Sequence, residues 1–201
     1  MEILITLVIL LFSAIVHEVS HGLMAEKLGD STARDEGRIT LNPIPHIDPF
    51  GSIMLPALLL FVGSPIVFGA AKPVPVDFNN LHPRRLGMAL VSLSGPLSNL
   101  ILAVLFMLPV KFGLVDGVMA EIWLKAVLIN LVLAVFNILP IPPLDGSKIV
   151  ASVLPDNIMY KLLELERFGF VLVIIFLFLG ILEKILLPVV TLFFRLFGVT
   201  F

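Results

Sequence analysis

The chain has 201 residues, of which 59% are hydrophobic types and 14% are charged. Soluble domains contain about 45–50% apolar and about 25% charged residues, and they bury only part of what the chain exposes, so a soluble protein is excluded. The absence of cysteine excludes a disulfide scaffold, and a net charge of −2 argues against a nucleic-acid partner. The composition predicts one polytopic membrane protein, with residues 1–201 forming a single domain.

Four apolar stretches reach the roughly 20 residues that a membrane-spanning helix needs. The first, residues 3–28, has neither the basic start nor the cleavage site of a signal peptide, so we expect it to be retained. The other three are residues 86–109, 118–139 and 168–187. A surface helix is predicted at 156–167 and an interfacial helix at 188–201. The fold class is therefore all-α, with four to six transmembrane helices.

Two features after the first helix are less regular. Residues 38–41 alternate polar and apolar types, which predicts a short β-like element that could receive an extended peptide. Residues 50–68 are apolar but contain Pro56, Gly63 and Pro65, which favour a break. They either span or are re-entrant.

The first span contains the sequence His17-Glu18-Val19-Ser20-His21. Residues at i and i+4 share a helix face, so the two imidazoles can bind one zinc ion, and the glutamate beside the first is placed to take a proton from water. Ionisable groups inside an apolar span cost several kcal/mol, so their presence there indicates a function. The structural alternative is that the two histidines form hydrogen bonds with each other inside a helix bundle and bind no metal.

Zinc hydrolases usually have three protein ligands, so a third polar residue is expected outside the first helix. Asp116, Glu121 and Asp156 are candidates, but Asp145 stands out because it follows a proline-rich end of the third span and precedes Gly146. An aspartate there can also simply cap the next helix. The spacing alone leaves both interpretations open.

Together these motifs resemble the site-2 protease family of intramembrane zinc metalloproteases. The resemblance rests first on HEVSH at 17–21 and NILPIPPLDG at 137–146, and it covers about three quarters of the chain. SGPLSN at 94–99 is similar to an element of the family's middle core span. TLNP at 40–43, HIDP at 46–49 and FGAAKPVPV at 68–76 are similar to the short bacterial and archaeal subgroup. The spacing between the spans leaves no room for a PDZ domain.

The resemblance implies a site as well as a fold. One Zn²⁺ per chain would be bound by His17, His21 and Asp145, with Glu18 as general base and then proton donor. Asn137 would lie near the substrate backbone or steady the oxyanion, unless it is a packing amide.

Two further polar residues have open roles. Asn99 and His46 are candidates for substrate contact. Asn99 equally suits a packing amide beside Gly95 and Ser98, and His46 a structural histidine of its loop.

The implied reaction is hydrolysis of peptide bonds in or near transmembrane segments of protein substrates. The catalytic core would be residues 3–148, followed by C-terminal helices at 149–201, in a multi-pass protein of a prokaryotic cell membrane. A zinc transporter is an alternative, although its path would need ligands on several helices. A catalytically silent membrane scaffold is another, disfavoured by the intact Glu18.

The ligand hypothesis also orients the chain. His17 and Asp145 must meet on one side of the bilayer, which favours residues 50–68 turning back near 56–65 over a full crossing. A tilted full span with long loops is the alternative. The turned-back arrangement places most of the thirteen basic residues on one side, which we expect to be cytoplasmic, with the N-terminus facing out.

Overall fold

The computed structural model describes residues 2–48, 54, 61 and 71–199. The prediction that residues 50–68 turn back lies outside these residues, Met54 and Phe61 apart, and stays a prediction. The helices are α1 (Glu2–Lys27), α2 (Thr32–Asp35), α3 (Arg84–Lys111), α4 (Gly117–Asn137), α5 (Asp145–Val153), α6 (Asp156–Glu164), α7 (Gly169–Phe178) and α8 (Ile181–Leu196), with 3₁₀ turns at Ile44–His46 and Leu165–Phe168.

Three of these helices, α1, α3 and α4, are long and apolar enough to cross a membrane. They coincide with the first three predicted spans, and the expected all-helical membrane fold is confirmed. Helix α3 is the central element, because it packs against α1, α4 and α5. The site described below lies where these four helices meet.

The turn between α4 and α5 brings the start of α5 back against the end of α4. Pro140, Pro142 and Pro143 follow α4 and cannot continue a helix. Gly146 allows the close approach, since a Cβ there would lie 2.1 Å from the carbonyl oxygen of Ile138. The sharp return places the first residue of α5 beside α1 and α3.

The fourth predicted span is wrong as a single helix. The structure divides it into α7 and α8, and Gly180 between them has φ 65°, the left-handed conformation that ends a helix. The interfacial helix expected at 188–201 is also corrected, because its helical part belongs to α8. Val190 and Phe194 of α8 are buried in a core with Met107 of α3 and Leu131 of α4.

The β-like element predicted at residues 38–41 is not formed, and the described residues contain no strand. The backbone N–H of Thr40 donates to the carbonyl of Arg38 within a tight turn, so the alternating pattern has no partner strand. The helix predicted at 156–167 is confirmed as α6 and the 3₁₀ turn that follows it.

Candidate metal centre and catalytic cavity

Three donor atoms converge at the junction of α1, α3 and α5. His17 Nε2 lies 3.0 Å from Asp145 Oδ2 and 3.1 Å from His21 Nε2. The third side of the triangle, from His21 Nε2 to Asp145 Oδ2, is 3.2 Å. All three residues are at most 9% exposed.

This triangle fits a zinc ion. Zinc–nitrogen and zinc–oxygen bonds of about 2.0–2.2 Å in a tetrahedron place neighbouring ligand atoms ~3.3 Å apart. Two imidazole nitrogens and one carboxylate oxygen are a donor set that zinc hydrolases use, and three protein ligands leave one position open. The chemistry and the spacing of the donors therefore agree.

The other ring nitrogens of the two histidines fix their tautomers. His17 Nδ1 lies 2.6 Å from Asn99 Oδ1, and His21 Nδ1 lies 2.7 Å from the carbonyl oxygen of Val91. Both partners are acceptors, so each Nδ1 carries the proton and donates it. Each Nε2 is left with a lone pair directed at the centre, as metal ligation requires.

Gly95 of α3 provides the room for this arrangement. A Cβ at this position would lie 2.5 Å from His21 Nε2 and 2.6 Å from His17 Nε2. A side chain there would clash with both imidazole rings at the nitrogens that face Asp145. Room for the two histidine rings, in addition to close helix packing, therefore explains why the SGPLSN motif has a glycine at this position.

The alternative in which Asp145 caps α5 does not describe the structure. Asp145 is the first residue of α5, after Leu144, and the helix start has no side-chain cap hydrogen bond. Its carboxylate faces the two imidazoles instead. Among the described residues, Asp116, Glu121 and Asp156 do not join the cluster, and Asp156 pairs with Arg85 in an exposed salt bridge.

Glu18 is held by backbone rather than by a side chain. Its Oε2 accepts a hydrogen bond of 2.8 Å from the backbone N–H of Val74. Residues 71–76 run without helix or strand past this point. Arg38 fixes them by donating from Nη2 to the carbonyls of Lys72 at 2.9 Å and Pro73 at 3.1 Å.

Glu18 and the three donor residues line one cavity of about 860 Å³. Asn137 also lines it, and its amide donates to the carbonyl of Leu133 at 3.0 Å. Asn99 and His46 are fully buried and are not among the described residues that line the cavity. His46 Nε2 bonds to the carbonyl of Thr40, and its own carbonyl accepts from Lys72 N, so it supports the segment that holds Glu18.

Sequence reasoning missed two residues of this region. Arg38 is only 5% exposed although it follows a charged loop, and nothing local signals its burial. Asn130 is fully buried in α4 and bonds to Asn99. An amide in the middle of a predicted span is costly in lipid, and that signal could have identified it.

Comparison with known proteins agrees with the class that this site defines, a zinc metalloprotease. A family model described as "Peptidase family M50" matches residues 113–182. A Bacillus subtilis protein named "Putative zinc metalloprotease YwhC" is 37% identical over 178 residues, covering 83% of this chain and 76% of that protein. "Putative zinc metalloprotease Rip2" of Mycolicibacterium smegmatis is 30% identical, covering 94% of this chain and 73% of its own length.

A Rip2 from Mycobacterium tuberculosis is 31% identical and covers 82% of this chain and 63% of its own length. No solved structure matches the chain. The chain belongs to peptidase family M50, the site-2 protease family of membrane zinc metalloproteases.

Proposed function

We propose that this protein is an intramembrane zinc endopeptidase that cuts peptide bonds within or near transmembrane segments of other proteins. The observation that carries the proposal is the triangle of His17, His21 and Asp145 with Glu18 in the same cavity. Three buried donors and a nearby carboxylate that is not one of them are the parts that metal-assisted hydrolysis needs. One zinc ion per chain would be bound by this triangle.

When bound, zinc would polarise the scissile carbonyl and lower the pKa of water at the site. Glu18 would take the proton from the attacking water and deliver it to the leaving amine. The hydrogen bond from Val74 N–H holds one carboxylate oxygen of Glu18, and we assign this proton to the other oxygen, to which none of the described residues donates. Asn137, at the cavity wall, is the residue we assign to the substrate backbone or the oxyanion.

The lining of the cavity supports a transmembrane substrate. From the metal donors it extends along the first half of α1, where Leu7, Leu10 and Leu11 face it. Such a surface suits the apolar side chains of a membrane segment. The segment must be locally extended at the cut, because a helical peptide bond is shielded by its own hydrogen bonds and side chains.

The proposed setting is the cell membrane of a prokaryote, with the chain crossing it several times. Three long apolar helices and the bacterial origin of the relatives support this setting. The lipid bilayer and the transmembrane protein substrates are the partners we assign.

The test compares wild-type protein with Glu18→Gln, both purified in detergent and loaded with zinc. The substrates are a single-span membrane protein and an unfolded soluble protein, with cut sites located by mass spectrometry. We expect Glu18→Gln to retain zinc and to lose cleavage by several orders of magnitude, because it removes the proton acceptor. Glu36→Gln, which changes an exposed glutamate, is the matched control and should cleave normally.

Cleavage retained in Glu18→Gln would contradict the mechanism. Cleavage of the soluble protein alone would contradict the substrate class while leaving the protease activity in place. Zinc uptake into liposomes containing Glu18→Gln, without proteolysis by the wild type, would favour the transporter.

A further inference from the structure

A chain of buried amides connects α4 to the metal centre through α3. Asn130 and Asn99 are both fully buried. Asn130 Oδ1 accepts from Asn99 Nδ2 at 2.9 Å, and Asn99 Oδ1 accepts from His17 Nδ1 at 2.6 Å. The amide of Asn130 therefore lies two hydrogen bonds from a proposed zinc ligand, although it is on a different helix.

The neighbouring backbone carbonyls determine where the oxygen and the nitrogen of each side-chain amide lie. Asn99 Nδ2 also lies 3.2 Å from the backbone carbonyl of Ser13, which can only accept. Asn130 Nδ2 lies 2.9 Å from the backbone carbonyl of Ala126 and 2.9 Å from Ser13 Oγ. Both amides are thus oriented by fixed acceptors of the backbone, and the oxygen of Asn99 must face His17.

We propose that Asn130 is a positioning residue of the metal centre, which keeps the proton of His17 on Nδ1 by holding the Asn99 amide in one orientation. If Asn99 were flipped, its oxygen would face two acceptors, the Ser13 carbonyl and Asn130 Oδ1. Its NH₂ group would then donate to His17 Nδ1 and move the ring proton to Nε2. A protonated Nε2 cannot bind a metal.

Asn130 contributes to this orientation because it is one of the two acceptors that oppose the flip. Without it, one N–H of Asn99 is buried and unpaired, and only the Ser13 carbonyl still opposes the flip. Mutation of a residue that hydrogen-bonds to a metal-binding histidine typically weakens metal binding by about 10–100-fold. The inference rests on the proposed zinc site, but the proton position of His17 can be read without any metal.

The experiment compares wild-type protein with Asn130→Leu, in detergent, by two measurements. The first is the ¹⁵N spectrum of the imidazole rings in metal-free protein labelled at histidine. The chain has four histidines, so His46→Gln and His82→Gln backgrounds leave only the two of the site. The second is the zinc dissociation constant from competition with a chelator.

In wild type we expect the Nδ1 of His17 to carry a proton. In Asn130→Leu we expect a fraction of His17 to lose it from Nδ1, and zinc to bind about tenfold more weakly or worse. Asn130→Asp keeps an oxygen toward Asn99 and, when protonated, a donor toward Ala126. This conservative variant should therefore restore both readouts.

Ser152→Ala is the control, because it removes a buried hydroxyl that bonds only within α5. It should leave both readouts at the wild-type values. If Asn130→Leu does not fold, Asn130→Ala removes the same oxygen without the added bulk.

Wild-type zinc affinity and an unchanged His17 Nδ1 proton in the apolar variant would overturn the proposal. Equal losses in Asn130→Asp and Asn130→Leu would also overturn it, since they would indicate a packing role. A wild-type protein that binds no zinc would contradict the proposed function, while the ¹⁵N comparison would still test the role of Asn130.

Discussion

His17 and Glu18 are neighbours in the chain, but the structure holds them in different ways. His17 is fixed by side-chain amides on two other helices, Asn99 and behind it Asn130. Glu18 is fixed by one backbone N–H of a segment that is neither helix nor strand, at Val74. We call the part around His17, Asn99 and Asn130 the helix-held side, because buried side chains of packed helices fix it. We call the part around Glu18 and Val74 the segment-held side, because its geometry depends on the position of a loop segment.

The difference matches what each residue is proposed to do. A metal ligand functions best when its position does not change, and packed helices with fully paired amides provide that rigidity. A general base must exchange protons and contact a substrate during each cycle. A single hydrogen bond from a loop segment is easier to replace than a network of buried amides. Variants on each side should therefore separate metal binding from catalysis.

The largest effect on the helix-held side is expected from Gly95→Ala. Its Cβ would lie within 2.6 Å of both histidine Nε2 atoms, so the two rings could not keep the positions in which their donor atoms converge. We expect no measurable zinc in the purified variant and no cleavage. Leu100→Ala, on an exposed part of the same helix, is the control and should bind a full equivalent. Normal zinc content in Gly95→Ala would show that the metal lies elsewhere.

Asp145→Ala should come next, since it reduces the donors from three to two. Asp156→Ala is a matched control, because Asp156 is also the first residue of a helix but only forms an exposed salt bridge. Such a bridge contributes less than about 1 kcal/mol, so the control should retain zinc. Metal analysis of both purified variants decides the matter. Equal zinc content in the two variants would indicate that Asp145 is a helix cap and not a metal ligand.

On the segment-held side, Arg38→Met should lower kcat while zinc content stays normal. The substitution removes the two hydrogen bonds to the carbonyls of Lys72 and Pro73 that fix the segment next to Glu18. Misplacement of a catalytic group by about 1 Å can cost up to ~100-fold in rate, so we expect a loss of about 10- to 100-fold. Arg34→Met, at an exposed arginine, is the control. Loss of zinc in Arg38→Met would show that the two sides are not separable.

The smallest effect is expected at Asp30, which anchors the far end of the same segment. Burial alone would raise the pKa of Asp30, but hydrogen bonds from Thr32, Asn80 and the Asp77 backbone outweigh it and lower the pKa below the usual value of an aspartate. A lowered folded pKa stabilises the fold above the unfolded pKa, and this stabilisation is lost as pH falls through the folded value. Asp30→Asn should cost about 1–3 kcal/mol near neutral pH, and the difference from wild type should shrink below pH ~4.

Thermal unfolding of both proteins in detergent between pH 7 and pH 3 measures this difference. Asp35→Asn, at an exposed aspartate nearby, should show almost none. If the wild type exceeds Asp30→Asn in unfolding free energy by the same amount at every pH, the stabilising role of the ionised Asp30 carboxylate would be contradicted.

The sequence could predict the part of the site that local periodicity determines. His17 and His21 are one helical turn apart, so a helical span alone places them on one face. For Asp145 the sequence leaves two roles, metal ligand or helix cap, because the prolines before it indicate a turn but not the direction of that turn. The direction depends on the contact of Gly146 with the end of α4, which is a tertiary contact.

The errors in the fold have similar causes. The stretch at 168–187 is continuously apolar, and hydropathy does not detect that Gly180 adopts a left-handed conformation there. Residues 38–41 alternate like a strand, but a strand needs a partner, and the pattern cannot supply one. Arg38 and Asn130 were missed because their roles depend on residues more than 30 positions away.

Zinc K-edge X-ray absorption of the purified, zinc-loaded protein examines the proposed metal centre itself. We expect one zinc per chain, surrounded by nitrogen and oxygen at about 2.0–2.2 Å, with the scattering of two imidazole rings. His17→Ala should remove one ring from that pattern together with most of the zinc. A wild-type protein without zinc, or a zinc site whose spectrum is the same in His17→Ala, would contradict a metal centre formed by His17, His21 and Asp145.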